Sequence, residues 1–399
     1  MRTLRYQNLV SLSTSSLRSS AHLQCRCLRH LPRQDVRHKS GPYGYIQAKA
    51  LVFSKNGEPA DVLKLHTHSI SPQLRSGTTL VRTLAAPINP ADINTIQVPG
   101  NEGVFEVLAT SNPNSHLRKG DWVIPAVSQF GTWRTHAVAK TDELLKINIQ
   151  GLTPTQVATV SINPCTAYRI LRSYGPNAGI SQGLGMRPLD VGSGAWFIQN
   201  GANSGVGRAA IQFGRLWGLR SINIIRERES REETESLKKE LEDLGADVVV
   251  TETQLLSREW KDQLAQFTRN GHEKIGLGLN CVGGKSATSI ARSLSEGATL
   301  VSYGGMSKQP VNLPVGLLIF KDIRFVGFWL SEWNKRDPTG REHMINDILG
   351  LIKTNWFRDV PVEEVEWGFE TEASSLQNAA QQGLQGFKKG KGVFVFKDA

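Results

Sequence analysis

The sequence predicts an α/β protein in which a doubly wound, six-stranded parallel sheet follows a β-rich region. Three observations carry this prediction. Residues 195–228 read as strand, glycine turn, helix, strand, the order of a βαβ unit. Apolar strand-like runs then alternate with helical stretches as far as residue 326. Residues 46–147, in contrast, are short strand-like runs broken by turn residues.

The βαβ unit is the centre of the reading. Residues 195–199 are mostly apolar, as in a strand buried on both faces. Gly201, Gly205 and Gly207 punctuate the turn, and Val206, Ala210, Phe213 and Trp217 then recur at helical spacing. Glycines there let the backbone approach a pyrophosphate, and the helix start offers N–H groups and a positive dipole end. The second strand, 221–225, ends in Arg226-Glu227-Arg228. That is where a dinucleotide fold meets the adenosine ribose, and basic residues suit the 2′-phosphate of NADPH. Glu227 dissents, unless it points to solvent. The run also reads as the solvated start of the charged helix over 231–243.

The other elements follow in order. Residues 46–97 hold strands and turns, with His66 and His68 at strand spacing and no acid or cysteine at ligand spacing beside them. Asn89-Pro90-Ala91-Asp92 reads as a turn opening a short helix. Strands are expected over 104–108, 121–127, 132–138 and 144–147. Thr153 caps a helix with Pro154 at its first position. After residue 228, strands are expected at 246–250, 275–281, 298–302 and 323–326, with helices between them. An amphipathic helix covers 340–355, and a final strand at 392–396 is expected to pair with the first domain.

Composition narrows the function. A chain of 399 residues has room for two domains. No apolar run is long enough to span a bilayer, which predicts no membrane insertion. The net charge of +11 is uneven: residues 1–40 hold seven arginines and Lys39 against Asp35, so this leader carries +7. The basic balance therefore belongs to the leader and does not describe a nucleic-acid surface. Arginine, serine and the near absence of acids are the composition of a mitochondrial transit peptide, or of a disordered basic tail. Of the cysteines, Cys25 and Cys27 lie in the leader, and Cys165 and Cys281 are far apart, which gives neither a disulfide framework nor a zinc spacing.

Several motifs in order, INPADIN, GNEGVFEV, NPCTAYR, GANSGVG, YGGM and FWL, lie between residues 88 and 330, within a likeness that runs from about residue 46 to the end. Together they resemble the mitochondrial trans-2-enoyl-thioester reductases. These belong to the zinc-free, quinone-oxidoreductase-like branch of the medium-chain dehydrogenase/reductase superfamily. The resemblance implies a transit peptide at 1–44, a discontinuous β-rich GroES-like catalytic domain at 45–160 and 341–399, and an NADPH-binding Rossmann domain at 161–340. Zinc-dependent relatives carry Gly-His-Glu and a cysteine ligand. Here the segment is Gly100-Asn101-Glu102-Gly103, and no cysteine lies between 28 and 164, so no metal is expected.

Carried over residue by residue, the family's NADPH contacts fall on Asn163, then Asn203, Ser204, Gly205 and Val206 at the pyrophosphate. Arg226, Glu227 and Arg228 would hold the 2′-phosphate. Tyr303, Gly304, Gly305, Met306, Phe328, Trp329, Leu330 and Lys391 would close over cofactor and acyl group. On their own, Asn163 is also a plain helix residue beside Pro164, Phe328 and Trp329 plain core aromatics, and Lys391 part of a solvated run. The implied reaction is NADPH-dependent reduction of a trans-2-enoyl thioester, carried by coenzyme A or acyl carrier protein, in mitochondrial fatty acid synthesis. The implied location is the mitochondrial matrix and the implied assembly a homodimer.

One departure touches the chemistry. In the family a tyrosine acts at the acid step, on a segment soon after INPADIN. Here Gln97 runs directly into Val98, and no tyrosine occurs between Tyr45 and Tyr168. The catalytic acid is therefore unknown. Three explanations stay open: a coding stretch missing from this form, a paralogue of altered chemistry, or another donor such as water or Thr95. The competing functions are an NADPH-dependent quinone or enone reductase, and a catalytically dead NADPH-binding paralogue or splice form.

Overall fold

The computed structural model describes residues 44–55, 57–94, 97–148, 150–172, 192–385 and 390–397. The predicted leader and Thr95 lie outside these residues. Strand β1 (Ile46–Val52) pairs antiparallel with β2 (Lys64–Ile70), which carries His66 and His68, across the short helix α1 (Pro59–Val62). Next come β3 (Thr78–Pro87), a 3-10 turn at Pro90–Asn94, β4 (Val104–Thr110), β5 (Trp122–Pro125), β6 (His136–Lys140) and β7 (Leu144–Lys146). The strand expected over 132–138 begins only at His136. Before it, the Thr132 and Trp133 N–H groups bond to the carbonyls of Gly100 and Pro99, while Trp133 O and Thr135 N bond to Leu51 and Lys49 of β1, so this stretch joins β1 only through an isolated bridge, Ala50 with Arg134.

Helix α2 (Pro154–Ala158) starts as its sequence demands. The Thr153 hydroxyl accepts from Gln156 N at 3.2 Å, the Gln156 side chain accepts from Thr153 N at 2.9 Å, and Pro154 follows the cap. Helix α3 (Asn163–Arg172) follows, opening at the NPCTAYR motif.

The parallel sheet then builds up from β8 (Trp196–Asn200), α4 (Gly205–Leu216), β9 (Arg220–Ile225), α5 (Arg231–Leu244), β10 (Val248–Thr251), α6 (Glu252–Leu256), α7 (Trp260–Phe267), β11 (Ile275–Asn280), α8 (Gly284–Ser293), β12 (Thr299–Ser302), α9 (Val315–Lys321) and β13 (Arg324–Gly327). Its strand order is β10-β9-β8-β11-β12-β13, and every pairing is parallel. The order reverses between β8 and β11, the switch point at which such sheets open a crevice. Side chains alternate between two cores. Trp196, Ile198 and Leu300 face one, while Phe197, Leu277 and Val301 face the other. Close packing dictates the last glycine of the turn, because a Cβ on Gly207 would lie 2.5 Å from the Ala202 carbonyl oxygen.

The chain ends with α10 (Leu330–Arg336), α11 (Pro338–Lys353), β14 (Val362–Trp367), α12 (Ala373–Gln385) and β15 (Lys391–Phe396). Strand β15 pairs parallel with β14 and antiparallel with β3, so the end of the chain closes the sheet begun near its start. That second sheet has the order β14-β15-β3-β4-β5-β7, with β6 also on β3. The largest core joins the two sheets: Val104, Ile124 and Val393 share it with Phe197, Phe213, Ile345 and Ile348. Burial of such large apolar side chains contributes roughly 1.5–3 kcal/mol each.

Candidate cofactor and substrate cleft

A deep cleft runs along the carboxyl ends of β8, β9, β11, β12 and β13. Its far wall comes from residues 88–91, 126–129 and 390–392. Its floor is the glycine turn and the start of α4. Ser204 caps that helix, its hydroxyl accepting from Gly207 N at 3.1 Å, and Asn203, Ser204, Gly205 and Val206 all line the cleft. The positive end of α4 thus opens where a pyrophosphate would lie. Asn163, at the start of α3, packs against this end, and a Cβ on Gly205 would lie 2.9 Å from the Asn163 amide nitrogen.

At the end of β9, Arg226 and Arg228 line the cleft. The Arg228 backbone N–H is pinned on the Thr234 hydroxyl at 2.9 Å. Burial, and then repulsion from Arg226, lower the Arg228 pKa. An anion between the two guanidiniums would relieve both effects. Glu227, between them, does not line the cleft. It lines a separate depression outside the cleft, and against a burial cost the hydroxyls of Thr251 and Thr253 hold its carboxyl below the usual range. Glu227 is exposed, just past the end of β9, and its carboxyl turns to those two hydroxyls.

Tyr303, Gly304, Gly305 and Met306, after β12, form the adjoining wall. The Tyr303 hydroxyl is buried beside Cys281 and Ser204, and burial followed by the Cys281 thiol raises its pKa well above the usual phenol value. Phe328, Trp329 and Leu330 also line the cleft but divide in role. Phe328 is buried and stacks on Trp333 at 5.9 Å, whereas Trp329 is 65% exposed on the cleft wall.

The structure adds a buried polar network that motif reading did not assemble. Lys391 lies opposite Asn89 because β15 runs beside β3, with Ile88 N bonded to Gly392 O at 2.9 Å. The Lys391 ammonium donates to Asn89 Oδ1 and lies 3.8 Å from Glu102 Oε1. Asn89 Nδ2 donates to Glu102 Oε1 at 2.8 Å, and Asn163 Nδ2 donates to Asn89 Oδ1 at 3.2 Å. Glu102 Oε2 accepts from Ile162 N at 3.1 Å and from the Ser161 hydroxyl at 3.4 Å. Asp92 closes the far side, accepting from Asn89 N, Asn101 N and Asn101 Nδ2 at 2.7–2.9 Å. Burial pushes the Asp92 and Glu102 carboxyls up and the Lys391 ammonium down, and their mutual attraction opposes both shifts. The sequence signal was four polar residues, Asn89, Asp92, Asn101 and Glu102, on two short motifs flanked by strands.

Comparison with known proteins decides the family. Residues 205–344 match the zinc-binding dehydrogenase family. The mitochondrial enoyl-acyl-carrier-protein reductase of Yarrowia lipolytica is 42% identical over 79% of this chain and 82% of its own length. The enzyme of that name from Homo sapiens is 40% identical over 77% of this chain and 79% of its own length. The chain belongs to the mitochondrial enoyl-acyl-carrier-protein reductases. Within that family, the mitochondrial 2-enoyl thioester reductase heterodimer of Candida tropicalis superposes with a TM-score of 0.78 at 34% identity, covering 88% of this chain and 100% of that one. The Etr1p complex with NADP and crotonyl-CoA gives 0.78 at 35% identity, with the same coverage.

The matched dehydrogenase family is described as zinc-binding, and the residues here do not fit a zinc ion. Asn101 stands in the Gly-x-Glu position, its amide committed to Asp92 and to Gln129 N, and Glu102 is committed to Asn89 and Ile162. Among the described residues, no group of three or more His, Cys, Asp or Glu could hold a metal ion.

Proposed function

We propose that this chain is an NADPH-dependent trans-2-enoyl-thioester reductase of mitochondrial fatty acid synthesis, taking enoyl groups on coenzyme A or acyl carrier protein. The observation that carries this is the cleft, where the start of α4 and the Arg226–Arg228 pair meet in a chain of the enoyl-acyl-carrier-protein reductase family. NADPH supplies a hydride to the β-carbon of the enoyl group. The chain's own residues place the reactants. Asn203, Ser204, Gly205 and Val206 cradle the pyrophosphate. Arg226 and Arg228 take the 2′-phosphate, and the turned-away Glu227 drops out of that set. Asn163 lies at the nicotinamide side, and Tyr303 to Met306, Trp329, Leu330 and Lys391 close over the cofactor and the acyl group; the support is that each of these residues lines the cleft. Phe328 packs in the core against Trp333.

Residues 1–44 act as a transit peptide to the mitochondrial matrix, 45–160 with 341–399 form the catalytic domain and 161–340 the nucleotide domain. The acid that protonates the α-carbon has no assigned side chain, since Gln97 meets Val98 where the family has its tyrosine. A missing general acid costs about 10²–10⁴-fold in rate. Slow turnover is therefore expected from this form of the chain.

The homodimer rests on one exposed face. Strand β13 is an edge of the parallel sheet, and beside it α9 presents Ile319 and Phe320, the latter 81% exposed. A second copy pairing at this edge would cover both. Sedimentation of wild type as a dimer and of Phe320→Glu as a monomer is the expected result, and a monomeric wild type refutes it.

The function is tested with purified residues 45–399, NADPH and a trans-2-enoyl-CoA. The expected result is NADPH oxidation with formation of the saturated thioester. No oxidation at high enzyme concentration refutes the activity, and faster turnover of a quinone or enone reassigns it.

A further inference from the structure

We propose that Glu102, which does not itself line the cleft, is the positioning residue that fixes the donor and acceptor directions of Asn89, Asn163 and Lys391 at the nicotinamide end. The inference rests on the reading of Asn163 and Lys391 as cofactor contacts and adds a cause for their orientation.

An ionised carboxylate only accepts, and an ammonium only donates. Glu102 Oε1 therefore takes the Asn89 amide NH2 at 2.8 Å, which turns Asn89 Oδ1 towards Lys391. Asn89 Oδ1 also accepts from Asn163 Nδ2 at 3.2 Å, so the Asn163 amide is set as well, with its carbonyl oxygen turned away from Asn89. Glu102 cannot rotate out of this duty, because Oε2 is held by the Ile162 N–H at 3.1 Å and the Ser161 hydroxyl at 3.4 Å. The carboxylate is fully buried and its ammonium partner nearly so, which keeps bulk water from replacing either. One buried charge thus propagates a single direction through two amides to the cleft. Asn163, Lys391 and Asn89 are the members that line it.

Glu102→Gln tests this with almost no change in shape. The new side chain's carbonyl oxygen must meet the Ile162 N–H, which cannot turn, and its NH2 then faces Asn89. Either two NH2 groups oppose each other, or the Asn89 amide flips and presents its NH2 to Lys391 and Asn163. The expected loss is about tenfold or more in NADPH affinity, the scale of one hydrogen bond to a charged group. Combining Asn89→Asp with Glu102→Gln restores every direction. The carboxylate now at position 89 would accept from the amide NH2 at position 102 on one oxygen, and from Lys391 and Asn163 on the other. The buried charge is unchanged in this swap.

The experiment measures NADPH affinity by fluorescence titration, and the melting temperature without cofactor, for wild type, Glu102→Gln, the swap, Asn163→Ala and Lys391→Met. The inference predicts weakened binding in all three single variants and recovery in the swap. Wild-type affinity in Glu102→Gln, or no recovery in a folded swap, overturns it while the cofactor reading stands. Wild-type affinity in both Asn163→Ala and Lys391→Met overturns the cofactor reading and the inference with it. A lowered melting temperature in Glu102→Gln with unchanged affinity marks Glu102 as a packing residue and also overturns the inference.

Discussion

Replacing Arg228 by alanine tests how the cleft distinguishes NADPH from NADH. Arg228 is part-buried, its backbone is fixed on Thr234, and its charge is disfavoured by burial and by Arg226 alongside. A 2′-phosphate bound there exchanges that repulsion for charge-assisted hydrogen bonds, each worth about 1.5–3 kcal/mol. Taking about 2 kcal/mol, because the site is open to water on one side, Arg228→Ala should lower kcat/KM for NADPH by about 30-fold. Arg226 is more exposed, and its removal should cost about fivefold. NADH lacks the phosphate, so its kcat/KM should not fall, and the preference for NADPH should shrink by the same factors. Steady-state kinetics with both cofactors reads this directly. Added salt should weaken NADPH binding to the wild type more than to the variants. An equal loss with both cofactors, or none with either, refutes the assignment of the 2′-phosphate to this pair.

Other consequences follow from single contacts. Gly207→Ala brings a Cβ to 2.5 Å from the Ala202 carbonyl oxygen, so the helix start must move from the turn, and a loss of about 1–3 kcal/mol in urea unfolding should accompany weaker NADPH binding. Arg341 is buried on α11 and donates to the carbonyls of Pro125 and Ala126, at the head of the loop that walls the cleft at 126–129. Arg341→Met strands both carbonyls, and we expect a loss of about 3 kcal/mol in thermal unfolding with a raised KM for the enoyl thioester. The Cys165 thiol is pushed up to about 12 by burial, so iodoacetamide at pH 8 should label it only after denaturation, as mass spectrometry of the peptide can show.

The nucleotide half of the fold was legible because each of its signals is local. The glycine turn and the apolar strands of a two-faced buried sheet each depend on a few adjacent residues, as does the Thr153 cap in the other half. Strand β14 was missed because Val362–Trp367 is an edge strand carrying three glutamates, residues poor in strand propensity that the edge keeps in water. The stretch 132–138 was read as one strand, yet the Thr132 and Trp133 N–H groups go to a loop and Arg134 meets β1 only through an isolated bridge, so the strand begins at His136. The candidate site divides along the same line. Its glycines and arginines announce themselves by spacing. The joining of Asn89, Glu102, Asn163 and Lys391 is set by β15 lying on β3, a register that no local pattern encodes. Glu227 shows the limit of reading a motif as a unit, since its carboxyl is held by the Thr251 and Thr253 hydroxyls and it does not line the cleft that Arg226 and Arg228 line.

The most direct measurement is single-turnover oxidation of NADPH by residues 45–399 at stoichiometric enzyme, with a trans-2-enoyl-CoA and mass analysis of the thioester. We predict one saturated acyl thioester per NADPH consumed, slowly, because the family's tyrosine has no counterpart between Gln97 and Val98. Tight NADPH binding with no conversion of the thioester would contradict the account.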